Sequence, residues 1–255
     1  MENQDAGTRA HDPARTRIRV GVVAASIALG MVAAWAAWSP AAEPAKTEPA
    51  QAPDAQYLEA GRKAPISKAK WTQQASFDFE NPADLGKFTV ADGQWEIRDG
   101  KLWAAAGDKS RSILLTHLEA PTLRIEFDAT CYADDTGRIG DVTVMLNASA
   151  DKAATASGYA LTTASYYNTC TTFYRQGKKL ARTEFSPVVS GKTSRVCVEL
   201  DRGHIRYWLN GQIVLEAWDQ TPLAIDPALW VGLRTYATKM SVDNLVVSRG
   251  AAPAR

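Results

Sequence analysis

From Trp71 onward the chain alternates apolar and polar positions in short runs, each closed by a turn signal. In "TLRIEFDATC", Leu123, Ile125 and Phe127 alternate with Arg124, Glu126 and Asp128. In "DVTVMLNA", Val142, Val144 and Leu146 alternate with Thr143, Met145 and Asn147. "SRVCVEL", "LWVGLRTY" and "MSVDNLVVSR" carry the same period of two, which marks strands with one buried face. No segment sustains a helical period. Asp99-Gly100 and Asn210-Gly211 are two-residue hairpin signals. About the first turn, Trp95 pairs with Ala104 and Ile97 with Leu102, which leaves Trp103 on the polar face with Glu96, Arg98 and Lys101. About the second, a plain two-residue loop sets Trp208 opposite Ile213 and mixes the faces, so a bulge at Gly211 is expected. Many short strands over residues 69–249 predict an all-β, two-sheet antiparallel sandwich.

The N-terminal segment has a different pattern. Residues 1–19 are polar and contain Arg9, Arg15, Arg17 and Arg19. Residues 20–38, "VGVVAASIALGMVAAWAAW", carry no charge. About 20 apolar residues span a bilayer, and arginines on one side keep that side cytoplasmic. The expectation is one transmembrane helix with the domain outside the cytoplasm, periplasmic or at the cell surface. The alternative is a cleaved signal peptide, with Ala34-Trp35-Ala36 as a small-x-small site and a secreted product. The apolar run is longer than a usual signal core, which favours the anchor. Residues 39–68 are rich in Pro and Ala and read as a linker. Residues 250–255 read as a loose tail.

Composition narrows the partners. The 255 residues carry a net charge of +1, and no basic stripe points to nucleic acid. Cys131, Cys170 and Cys197 lack metal-type spacing, and outside the cytoplasm they allow one disulfide or none. Asp134-Asp135 and Asp141 match no defined calcium loop, so neither a metal nor a cofactor is expected.

"SFDFENPADLGKF", "GQWEIRDGKL", "IRYWLNGQIVLEAWDQTPL" and "VGLRTYATKMSVDNLVV" follow one another in an order that resembles the concanavalin A-like lectin/glucanase superfamily. The closer resemblance is to bacterial 3-keto-disaccharide hydrolase-type domains and their laminin-G-like relatives. It spans nearly all of residues 71–249. It implies a jelly roll of two curved sheets with a carbohydrate on the concave face. The loop "YYNTCTTFYRQGKK" corresponds to a region that borders that site, which places Tyr166, Tyr167 and Asn168 at the sheet rim and makes Tyr166 and Asn168 candidate binding residues.

If the aliphatic rows face the core, the opposite rows face a ligand. Sugars are gripped by flat rings against their C–H faces and by charged groups against their hydroxyls. By phase, Trp103, Glu126, Arg234 and Tyr236 are the candidates, and they are expected to share one cleft. For Trp103 a second outcome stands beside this one: burial under the Trp71–Phe88 segment or a loop. Glu126 and Asp128 stand about 6.5–7 Å apart on one strand face, and paired acids drive glycoside hydrolysis. They resemble the start of the laminarinase-like E-x-D-x-x-E signature, but its last position is Cys131 here. The hydrolase relatives often carry G-L-Q-x-H-G where this chain has "GLRTYA", with Tyr236 in place of the His.

Three functions follow. The first is a membrane-anchored carbohydrate-binding module, with a glycan or small saccharide as partner and the membrane as a second contact. The second is a glycoside hydrolase or lyase of the 3-keto-disaccharide hydrolase type. The third is a structural domain that binds a protein partner at the envelope.

Overall fold

The computed structural model describes residues 71–104, 110–117, 122–149, 154–224 and 230–250. The expected membrane segment, the linker and the last five residues of the tail lie outside the described residues. Among those described, no helix is long and apolar enough to cross a membrane.

Fifteen strands are described, and every recorded pairing is antiparallel. They are β1 (Trp71–Phe77), β2 (Thr89–Asp92), β3 (Trp95–Arg98), β4 (Lys101–Ala104), β5 (Ser110–His117) and β6 (Thr122–Tyr132). Then follow β7 (Val142–Ala148), β8 (Tyr159–Ala164), β9 (Cys170–Arg175), β10 (Lys178–Thr183) and β11 (Thr193–Asp201). The last four are β12 (His204–Leu209), β13 (Gln212–Trp218), β14 (Trp230–Tyr236) and β15 (Lys239–Gly250). One sheet has the order β13-β12-β11-β6-β15-β4-β3, with β1 also paired to β15. The other has the order β10-β9-β8-β7-β14-β5-β2.

The two sheets enclose one apolar core built by the predicted alternation. β6 sends Leu123, Ile125, Phe127, Ala129 and Cys131 inward, and β7 sends Val142, Val144 and Leu146. Together with Leu161, Phe173, Val231 and Leu233, the β7 side chains form the second sheet's half of the core, facing the β6 row. Tyr159 and Phe173 lie 5.5 Å apart between ring centroids within this layer. The all-β two-sheet sandwich is therefore as expected.

Both hairpins form. Trp95 pairs with Ala104 and Ile97 with Leu102, around Asp99 at φ 50° and Gly100 at φ 64°. At the second turn Asn210 and Gly211 have φ of 50° and 76°. Two consecutive positive φ values make a tight two-residue turn whose twist matches the strands. The expected bulge at Gly211 is absent, and Trp208 does pair with Ile213. The phase is corrected further along instead, because the register shifts between Trp208–Ile213 and Tyr207–Leu215. Trp208, Ile213 and Cys197 form a small buried cluster of their own.

The three cysteines are free and buried. Cys131 points into the core, and Cys197 belongs to the cluster with Trp208. Desolvation raises the thiol pKa of both from 9.0 to about 12.

Candidate functional site

A cavity of about 650 Å³ opens on the outer face of the seven-stranded sheet. This is within the usual size of a small-molecule site. Its floor follows from strand parity. Leu161, Phe173 and Leu233 face the core, so Thr162, Tyr174 and Arg234 face outward. Ala160 and Thr162 are small, which leaves room above β8. Thr162 shares a 2.9 Å hydroxyl contact with Thr143 on the neighbouring strand.

Two loops raise the walls. The first joins β6 to β7. Asp134 accepts hydrogen bonds from the Thr136 N–H at 2.8 Å, the Thr136 hydroxyl at 2.6 Å and the Arg138 N–H at 2.9 Å. These contacts, the Thr136 hydroxyl foremost, hold its carboxyl below the ordinary range. Gly140 then passes so close to the end of β14 and the turn after it that a Cβ would overlap the Tyr236 carbonyl and the Thr238 hydroxyl. That approach places Asp141 beside Arg234, with Nη1 and Oδ2 3.3 Å apart. Burial pushes the Asp141 carboxyl above its ordinary value, and the Arg234 charge pulls it back.

The second wall is the turn from β8 to β9. Tyr166, Tyr167 and Asn168 all have left-handed φ, at 49°, 61° and 62°. Three such residues in a row are strained and persist only where neighbours fix them. Here Asn168 is the fixing point. Its Nδ2 donates to the Val188 carbonyl at 2.7 Å, and its Oδ1 accepts from the Ser186 hydroxyl at 2.6 Å. Ser186 in turn accepts from the Ala164 N–H at 2.9 Å. The turn throws both tyrosines outward, 56% and 67% exposed, and Tyr236 across the cavity is 49% exposed. Arg138 lies over the Tyr167 ring, 4.5 Å from its centroid, and Arg182 lies over Tyr166 at 5.3 Å. The Tyr166 and Tyr174 hydroxyls are 3.5 Å apart, and burial raises the Tyr174 pKa.

The structure brings Tyr166, Arg234 and Tyr236 to this cavity. Asn168 does not line it; its side chain is spent holding the turn. Trp103 and Glu126 are not in the cleft either. Both belong to the eight-stranded sheet, because β4 pairs with β15 and β6 with β15 and β11. Trp103 is half-buried and stacks on Tyr132, with centroids 5.5 Å apart. Arg98 covers it at 4.5 Å, and its Nε1 donates to the Arg98 carbonyl at 3.2 Å. It is thus covered by Tyr132 and Arg98 of its own sheet. Glu126 and Asp128 are engaged with neighbouring strands. Arg195 lies 3.9 Å from Glu126 and 3.4 Å from Asp128, and Asn244 Nδ2 donates to Asp128 at 2.9 Å. The third signature position, Cys131, points to the core, so no acid triad forms on that strand.

Tyr167, the rim-loop neighbour of Tyr166, also lines the cavity, and Tyr174, Arg138 and Asp141 join it there. Tyr174 is legible by parity, since it follows core-facing Phe173. Arg138 and Asp141 sit in a loop, where period carries no information. Among the described residues no group of three metal-type ligands occurs.

No protein-family model matches the chain, and no curated protein matches it by sequence. Solved structures do. The carbohydrate binding module CBM66 from Bacillus subtilis is similar with a TM-score of 0.51 and 20% identity, over 62% of this chain and 93% of that one. The metal-free Emp46p carbohydrate recognition domain is similar at 0.55 and 11% identity, over 72% of this chain and 100% of that one. The VIP36 exoplasmic/lumenal domain, in a Ca2+/Man3GlcNAc-bound form, is similar at 0.55 and 8% identity, over 73% and 93%. The domain therefore has the concanavalin A-like lectin fold.

Proposed function

We propose that this chain is a carbohydrate-binding protein whose site is the cavity on the seven-stranded sheet. The observation that carries the reading is the ring of three exposed tyrosines, Tyr166, Tyr167 and Tyr236, around the Asp141–Arg234 ion pair. Exposed aromatic rings offer flat apolar faces to the C–H faces of a sugar, and each keeps a hydroxyl for hydrogen bonding. The ion pair adds donors and acceptors at fixed positions. The fold neighbours support the reading, since they include a carbohydrate binding module and carbohydrate recognition domains. The test is a glycan array probed with the full chain, followed by Arg234→Ala and Tyr236→Ala. Binding that falls about tenfold or more in each variant supports the site. An array without a bound glycan, or binding indifferent to both substitutions, overturns it.

We further propose that residues 20–38 anchor the chain in a membrane and that the domain works outside the cytoplasm. The support is an uncharged span preceded by Arg15, Arg17 and Arg19. A reporter fused after Arg255 is expected to be active only outside the cytoplasm.

A further inference from the structure

The charges around the cavity come in matched sets. Four ionisable acids and bases other than tyrosine line it: Asp134, Arg138, Asp141 and Arg234. Two are acids and two are bases. Arg234 holds Asp141 at 3.3 Å. The Arg138 charge acts on Asp134, whose carboxylate also accepts the Arg138 N–H. Arg182, which lies over the Tyr166 ring, is tied to Glu184 at 2.7 Å. Asp141 and Arg234 are also not sealed away, since their side chains keep 13% and 17% exposure at the cavity.

From this arrangement, and resting on the carbohydrate reading above, we infer that the cavity selects neutral saccharides and rejects those bearing a carboxylate. An acidic sugar needs a cation that is not already answered by a carboxylate. Here the cation deepest in the site faces Asp141, so an incoming carboxylate meets a like charge beside its only deep partner. A neutral sugar meets the opposite situation. Asp141 accepts from one hydroxyl, Arg234 donates to its neighbour, and a vicinal diol matches both at once. The tyrosines stack on neutral C–H faces and add no charge preference.

Matched pairs test this on the full chain: manno-oligosaccharides against oligomannuronates, and galacto-oligosaccharides against oligogalacturonates. The neutral member of at least one pair is expected to bind tenfold or more tightly than its acidic counterpart at physiological salt. An acidic member that binds as well or better overturns the inference while leaving the carbohydrate reading intact. Failure of every neutral and acidic probe overturns both. Asp141→Asn removes the answering carboxylate and is expected to raise oligouronate binding tenfold or more, in a salt-sensitive way. The double variant Asp141→Asn with Arg234→Gln is expected to lose that gain. A folded Asp141→Asn that gains no acidic binding overturns the ion pair as the source of selectivity. If Asp141→Asn does not fold, the comparison of matched pairs on the unaltered chain decides by itself.

Discussion

Arg138 lies over the ring of Tyr167, 4.5 Å from its centroid, and so joins the loop after β6 to the left-handed turn after β8. The two walls of the cavity are held together at the rim by a cation against a π face, not by backbone pairing. Such contacts contribute about 0.5–1 kcal/mol at exposed sites. Tyr167→Ala removes both the ring and the tie. It is expected to weaken glycan binding about tenfold, with a melting temperature close to that of the parent, because the side chain is two-thirds exposed. Binding isotherms beside thermal melts check this. Unchanged affinity would show that the ring does not meet the ligand.

Asn168 makes the opposite kind of contribution. It tolerates left-handed φ better than most residues, and its amide bridges Val188 and Ser186. Asn168→Ala is expected to cost about 1–3 kcal/mol in stability, from two lost hydrogen bonds and a worse backbone fit. Affinity should fall as well, through disorder of Tyr166 and Tyr167. A denaturant midpoint equal to that of the parent would mean the turn is held by something else.

Trp103 is expected to matter for stability and not for binding. Its ring packs on Tyr132, and its indole N–H is bonded within the hairpin. Trp103→Ala should lose about 1–2 kcal/mol, less than the roughly 3–5 kcal/mol of a fully buried tryptophan. Glycan affinity should stay within about twofold of the parent. A tenfold loss of affinity without a change in melting would return Trp103 to the binding surface.

The buried thiols give a pH signature. At pH 8, groups with a pKa of about 12 are ionised to roughly one part in ten thousand, so Cys131 and Cys197 should resist thiol reagents until the chain unfolds. The folded pKa is raised, so above pH 9 the native state holds protons that the unfolded chain releases. Stability is therefore full below pH 9 and declines as the pH climbs towards 12. Cys131→Val should flatten that alkaline decline, as measured by denaturant midpoints from pH 8 to 11.

How much of this was legible without coordinates depends on the range of the interaction. Strand parity is local: a period of two on β6 fixes that Ile125 and Phe127 face one way and Glu126 and Asp128 the other, whatever else the chain does. The Asp99-Gly100 turn is local too, because positive φ at both positions sets the register of four residues on either side. The fold class followed from such signals. Parity does not say which sheet a strand joins. Trp103 and Arg234 both stand opposite an aliphatic row, yet the pairing of Ser241 with Trp103 puts one in the eight-stranded sheet, while the pairing of Arg234 with Thr143 puts the other in the seven-stranded sheet. The same limit hid Asp141, whose partner is 93 positions away. It also concealed that Asn168 faces Val188 and not the cavity. The sequence by itself determined the alternation, the turns and the core-facing rows, because these are decided by neighbours along the chain. The tertiary structure decided which outward rows meet at one cavity, because strand pairing and loop closure act between residues that the chain order keeps far apart.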